Sequence, residues 1–113
     1  MPVNAIVIAT GLRNDDGSSR SRLIRRHCRI GIHVVLRRVP MDPLALSSVA
    51  VYLRVRRFFG LLGPKYQQIG FLDKSTAQAI DSRLGTGDEL EASVTAVHAP
   101  AEKDNPRVSL AIE

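Results

Sequence analysis

Three histidines, one cysteine and sixteen lysines and arginines are the side chains of this sequence from which chemistry could be built. His27, His33, His98 and Cys28 do not fall at the short, repeated spacing that a tetrahedral zinc site needs, because His27 and Cys28 are adjacent and the other two are remote. No nucleophile, histidine and acid can be read as a catalytic set. Asp88, Glu89 and Glu91 could hold a magnesium ion, but carboxylates at the start of a strand more often guard its edge against unwanted pairing. No glycine-rich strand-to-helix loop is present to cradle a phosphate group. The expectation is therefore a non-enzymatic protein with no cofactor and no metal.

The arginines remain, and their distribution is uneven. From Met1 to Arg57 eleven arginines face three aspartates, a net charge of +8, whereas Phe58 to Glu113 carries −3. Arginine binds phosphate oxygens in a bidentate fork, so an arginine-rich half points to a polyanionic partner. Single-strand binders combine such a basic surface with aromatic faces, because phosphate attraction is sequence-blind and stacking adds to it. On this reading the contacts are Arg13, the arginines between Arg20 and Arg29, and Arg54, Arg56 and Arg57 beside Phe58 and Phe59. Each phenylalanine, Phe71 included, also has an ordinary reading as core or loop anchor.

These groups need elements to position them. Val3 to Ala9 is apolar and rich in β-branched residues, which predicts a strand; Asp15-Asp16-Gly17 predicts a turn; and Asp16 or Ser18 could cap a helix over Ser19 to Cys28. On that helix Leu23, Ile24, His27 and Cys28 share one side, leaving Arg20, Arg22, Arg25, Arg26 and Arg29 largely on the other. Gly31 is the expected stop. Further strands are expected over Ile32 to Val39, Val49 to Arg56, Tyr66 to Leu72, Glu89 to His98 and Arg107 to Ile112. The two prolines between Pro40 and Ser48 predict a loop there. A second helix is predicted over Asp73 to Leu84, with Ala77, Ile80 and Leu84 on its apolar face.

A chain of 113 residues fits one domain, expected to span 1–113. The order β-α-β-β-β-α-β-β joins consecutive strands by short connections, which pair antiparallel. The expected fold is mainly β, a small six-stranded antiparallel barrel of OB-like or SH3-like character with two added helices.

Gly11-Leu12-Arg13 before a turn and helix, Leu36-Arg37-Arg38-Val39-Pro40 leading towards Val49-Ala50-Val51-Tyr52, and Gln68-Ile69-Gly70-Phe71-Leu72 feeding a helix resemble a HIRAN domain. The resemblance covers nearly the whole chain. It implies a small barrel with added helices and a role in binding single-stranded DNA or DNA 3′ ends during DNA repair or remodelling. The family's Arg followed by two aromatics corresponds to Arg13, Asn14 and Asp15, and its Pro-x-Asn-Pro-Tyr-Asp loop to Pro40-Met41-Asp42-Pro43-Leu44-Ala45. Its Gly-aromatic-Leu-x-Lys block is kept as Gly70-Phe71-Leu72-Asp73-Lys74. Transferred residue by residue, the resemblance implies a nucleic-acid site made of Arg13, Asn14, Asp15, Arg38, Asp42, Leu44, Phe71 and Lys74.

A second reading is a protein-interaction domain, since Phe58, Phe59, Leu61 and Leu62 form an apolar run that could dock a partner. No apolar run reaches the roughly 18 residues of a membrane span. The N-terminus lacks the basic and small-residue marks of a signal peptide, and a single cysteine cannot make an internal disulfide. The expected location is the cytoplasm, as a monomer or weak homo-oligomer.

Overall fold

The computed structural model describes residues 3–42, 47–56, 64–80, 84, 89–98 and 105–112. In chain order the elements are β1 (Val3–Ile8), α1 (Arg20–His27), β2 (His33–Asp42), β3 (Ser47–Arg56), β4 (Pro64–Leu72), α2 (Lys74–Ala79), β5 (Glu89–His98) and β6 (Arg107–Ile112). The six strands form a closed antiparallel barrel in the order β1-β4-β3-β2-β5-β6, closed by β6 against β1. This is the mainly-β barrel with two helices, in the element order, that the sequence predicts.

Alternation along the strands makes the interior. Ala5 and Val7 of β1, Val34 and Leu36 of β2, Val49, Val51 and Leu53 of β3, and Val108, Leu110 and Ile112 of β6 all point into one cluster of buried residues. With Phe71 buried outside the core cluster and no tryptophan in the chain, branched aliphatics fill the barrel, as suits an interior this narrow. Both helices add to the same cluster, α1 through Ile24 and Cys28, and α2 through Ala77, followed by Ile80 and Leu84. Among the described residues no helix is long and apolar enough to cross a membrane.

Two expectations about boundaries need correction. The segment from Pro40 is strand, not loop, as far as Asp42, and β3 resumes pairing at Ser47. A register shift between Arg38 and Asp42 carries Pro40 through the ladder with β3, while the β5 ladder has already ended at Arg37↔Glu89. The missing proline N–H is thus asked of neither neighbour. The second helix is interrupted where a continuous one is predicted: α2 ends at Ala79, because Ile80 takes a non-helical ψ of 3°, and Leu84 is again helical, its N–H bonded to the Ile80 carbonyl (3.1 Å), while 81–83 lie outside the described residues. Its apolar face is nevertheless buried as predicted.

Asp73 joins this helix to the barrel. Its Oδ2 caps α2 by accepting from the Thr76 N–H (3.2 Å), the Thr76 hydroxyl (2.8 Å) and the Ser75 hydroxyl (2.9 Å). Its Oδ1 accepts from the backbone N–H of Ile6 in β1 (3.0 Å), and its own N–H returns to the Ile6 carbonyl (3.1 Å). The direct seam between β1 and β4 is narrow, with Val7↔Leu72 and Ile8↔Phe71 as its pairs.

Candidate nucleic-acid interface

The turn after β1 is built by hydrogen bonds that fix most of the residues predicted to touch nucleic acid. Asn14 and Ser18 bond across it, Asn14 N–H to the Ser18 carbonyl at 2.9 Å, with Gly17 in the left-handed region at φ 88°. Asp16 accepts from the Ser18 N–H (2.9 Å) and hydroxyl (2.6 Å), so it closes the turn and leaves the cap of α1 to Ser19, whose hydroxyl accepts from the Arg22 N–H. Those Ser18 hydrogen bonds hold the Asp16 carboxyl below the usual carboxylate range, with Lys65 at 3.6 Å adding to the effect.

Arg20 is the centre of the local arrangement, and its burial departs from the arginine-outward expectation for α1. It is buried because Nε donates to Asn14 Oδ1 (2.8 Å), Nη1 donates to the Ala9 carbonyl (3.1 Å), and the guanidinium lies 5.4 Å from the Phe71 ring centroid. Asn14 Nδ2 also donates to the Gln68 carbonyl of β4 (2.8 Å). Asn14 and Phe71 are thus brought together, through Arg20, as a latch between the turn and β4. Phe71 is buried, so its ring offers no open face for stacking.

The remaining predicted residues are dispersed. Arg13 is exposed, donates from Nη1 to the Gly17 carbonyl (2.9 Å) and is bridged to Ser19, while Asp15 is exposed at the tip of the turn. Arg38 is half-buried on β2 opposite Val49, and Lys74 is exposed at the start of α2. Asp42 ends β2 by its backbone; its side chain, Leu44 and the Phe58, Phe59, Leu61 and Leu62 run lie outside the described residues.

Around α1 the basic character is concentrated. Seven arginines and no acidic residue occur between Gly17 and Met41. Ser19, Ser21, Arg22, Arg25 and Arg26 line a surface hollow of about 380 Å³, with Arg13 attached at its margin through Ser19. The larger hollow of about 710 Å³ along β1 and β6 has Arg107 as the one arginine or lysine among its described lining residues and is joined to this surface by the hydrogen bond from the Ser21 hydroxyl to the Thr10 carbonyl (3.0 Å). Cys28, at the C-cap of α1, is buried, and that burial pushes its thiol up to about 11, which makes it a packing residue and not a nucleophile. Among the described residues no three His, Cys, Asp or Glu side chains come together as a metal-binding group.

Sequence reasoning passed over Tyr52 and Tyr66. Tyr52 on β3 is half-buried, with the Arg37 guanidinium 5.2 Å from its ring centroid, and Arg37 is ion-paired with Glu89 across β2 and β5. Tyr66 on β4 is 45% exposed and stands opposite the exposed Arg54 of β3. Alternation along Tyr52, Leu53 and Arg54 is the sequence signal that could have found this face, since it sets tyrosine and arginine on the side of the strand away from Leu53. No protein-family model, curated protein or solved structure matches the chain.

Proposed function

We propose that this barrel binds single-stranded nucleic acid, as the HIRAN-like motifs imply for DNA and DNA ends. The observation that carries the reading is the surface hollow along α1, where Arg22, Arg25 and Arg26 meet Ser19 and Ser21 and none of the described lining residues is a carboxylate. Phosphate oxygens suit it, because guanidinium groups and the Ser19 hydroxyl can donate to them and the first turn of the helix adds its partial positive charge, the Ser21 hydroxyl being already given to the Thr10 carbonyl (3.0 Å). Arg13 at the margin and the exposed Arg29 extend the same surface. The retained Lys74, exposed at the head of α2, is a further phosphate donor in this reading.

Titration of a labelled oligonucleotide tests it. For single strands the logarithm of the binding constant falls by about 0.7 per phosphate contact for each tenfold rise in salt. With about three to four such contacts, raising salt from 50 to 200 mM is expected to weaken binding roughly 20- to 50-fold. The triple variant Arg22→Glu, Arg25→Glu, Arg26→Glu is expected to bind more weakly at low salt and to show a shallower salt slope. An unchanged slope in the triple variant removes α1 from the interface. Absence of binding by the unaltered protein at 50 mM salt ends the reading altogether.

A further inference from the structure

We infer that the outer face of β2, β3 and β4 is a base-stacking platform for single-stranded nucleic acid, with Tyr66 and Tyr52 as its rings and Arg54 as its phosphate contact. The inference rests on the nucleic-acid reading above and assigns a face that the predicted site does not include.

The register puts the three residues together. Tyr52 stands opposite Gln68, and Arg54 stands opposite Tyr66, so the two tyrosines are diagonal neighbours on adjacent strands, roughly 7–8 Å apart by the usual spacing of such pairs. The register shift between Val51 and Tyr52 produces this alignment by setting Tyr52 opposite Gln68 when Val51 is opposite Gly70. Arg37, held by Glu89, lies against Tyr52 and fixes its ring. Among the described residues no guanidinium lies over the Tyr66 ring in this way, and Tyr66 is the one aromatic among their exposed large hydrophobic side chains. An open ring flanked by a guanidinium is the pairing that single-strand binders use, because every base has a face to stack and every nucleotide brings a phosphate. The excess of arginine over acid in the half of the chain that contributes β2 and β3 favours a polyanion over a neutral protein partner.

The protein supplies its own probe. It contains two tyrosines, Tyr52 and Tyr66, and no tryptophan, so its ultraviolet emission comes from this face. Addition of oligo(dT) is expected to quench that emission, whereas linear inorganic polyphosphate, which has charge but no bases, is expected to leave it nearly unchanged. Tyr66→Ala is expected to weaken oligo(dT) binding about 5- to 150-fold, the range that corresponds to 1–3 kcal/mol per stacked base, and Tyr66→Phe is expected to retain most of the affinity. Arg54→Ala should lower the salt slope by about 0.7, one phosphate contact. Oligo(dT) binding with unchanged emission and with full affinity in Tyr66→Ala overturns the platform while leaving the α1 surface as the binding site. Self-association that Tyr66→Ala abolishes would give the face to a second copy and overturn it too. If the unaltered protein does not bind oligo(dT) at low salt, the platform and the nucleic-acid reading fall together.

Discussion

Gly70→Ala is expected to unfold the barrel at a temperature about 10–15 °C lower, a loss of roughly 3 kcal/mol read by circular dichroism. A Cβ at this position would overlap the Ile8 carbonyl oxygen and lie 2.6 Å from Val7 Cγ1, far inside contact distance. The first obstacle is backbone, so it cannot swing aside as a surface side chain would. Val7 and Ile8 are also the two residues through which β1 pairs with β4. Any movement that relieves the clash therefore separates the seam that closes the barrel and wets the side chains behind it, Val7 and Leu72 among them. Gly17→Ala is the control. Its added carbon meets open space, but the left-handed φ of 88° leaves a strain of about 1 kcal/mol, so the expected fall is several degrees only. Equal falls in the two variants would show that the β1–β4 approach is not what Gly70 protects.

Asp73→Ala is expected to cost about 1.5–2.5 kcal/mol, because one carboxylate performs two tasks. Removing the cap of α2 costs about 1 kcal/mol, and losing the exposed hydrogen bond from the Ile6 N–H costs about 0.5–1.5 kcal/mol more. Asp73→Asn keeps one acceptor oxygen and should fall between the two. The same group makes stability depend on pH. Partial burial raises the Asp73 carboxyl, but the hydrogen bonds from Ile6, Thr76 and Ser75 outweigh burial and hold it below its ordinary value of 3.8. A depressed carboxyl contributes its stability above the unfolded value and loses it as pH falls through the folded one. Stability carried by Asp73 is thus expected to be level from pH 7 to pH 5 and to decline below about pH 4. Asp16 is depressed as well, so the informative measurement is the difference between the unaltered protein and Asp73→Ala in urea denaturation across this range. A difference that stays constant down to pH 2.5 would mean that the Asp73 hydrogen bonds do not depend on its charge.

Much of the architecture was legible because each strand obeys a simple period. β6 alternates in sequence and in burial throughout, β5 does so only as far as Val94, where a register shift leaves Ala96 exposed and turns Val97 against the core, and α1 begins and ends within a residue of its expected limits, since Ser19 and Cys28 cap it. What escaped was decided by distant partners. Arg20 reads as one more surface arginine until Asn14, the Ala9 carbonyl and Phe71 converge on it. Pro40 reads as a breaker until the register shift with β3 shows that no neighbour needs its N–H. Tyr52 and Tyr66 are far apart in sequence, and their meeting depends on an irregularity between Val51 and Tyr52 that no local pattern announces. The candidate site was legible as charge and not as geometry: the arginine run locates α1, whereas Asn14 and Phe71 are held inside the fold.

The closure of β1 by β6 also has a meaning in time. Val3 pairs with Ile112 and Val7 with Val108, so the first of these six strands to leave the ribosome waits for the sixth before one of its edges is covered. Until then that edge of β1 is a row of bare amide and carbonyl groups, open to any other extended chain. The meander of β2, β3 and β4 has no such delay, because its partners follow one another along the chain. Synthesis therefore delivers a sheet first and the closed barrel only once β6 has emerged, and the exposed Asn4 and Ile6 belong to the barrel strand that waits longest for its neighbour.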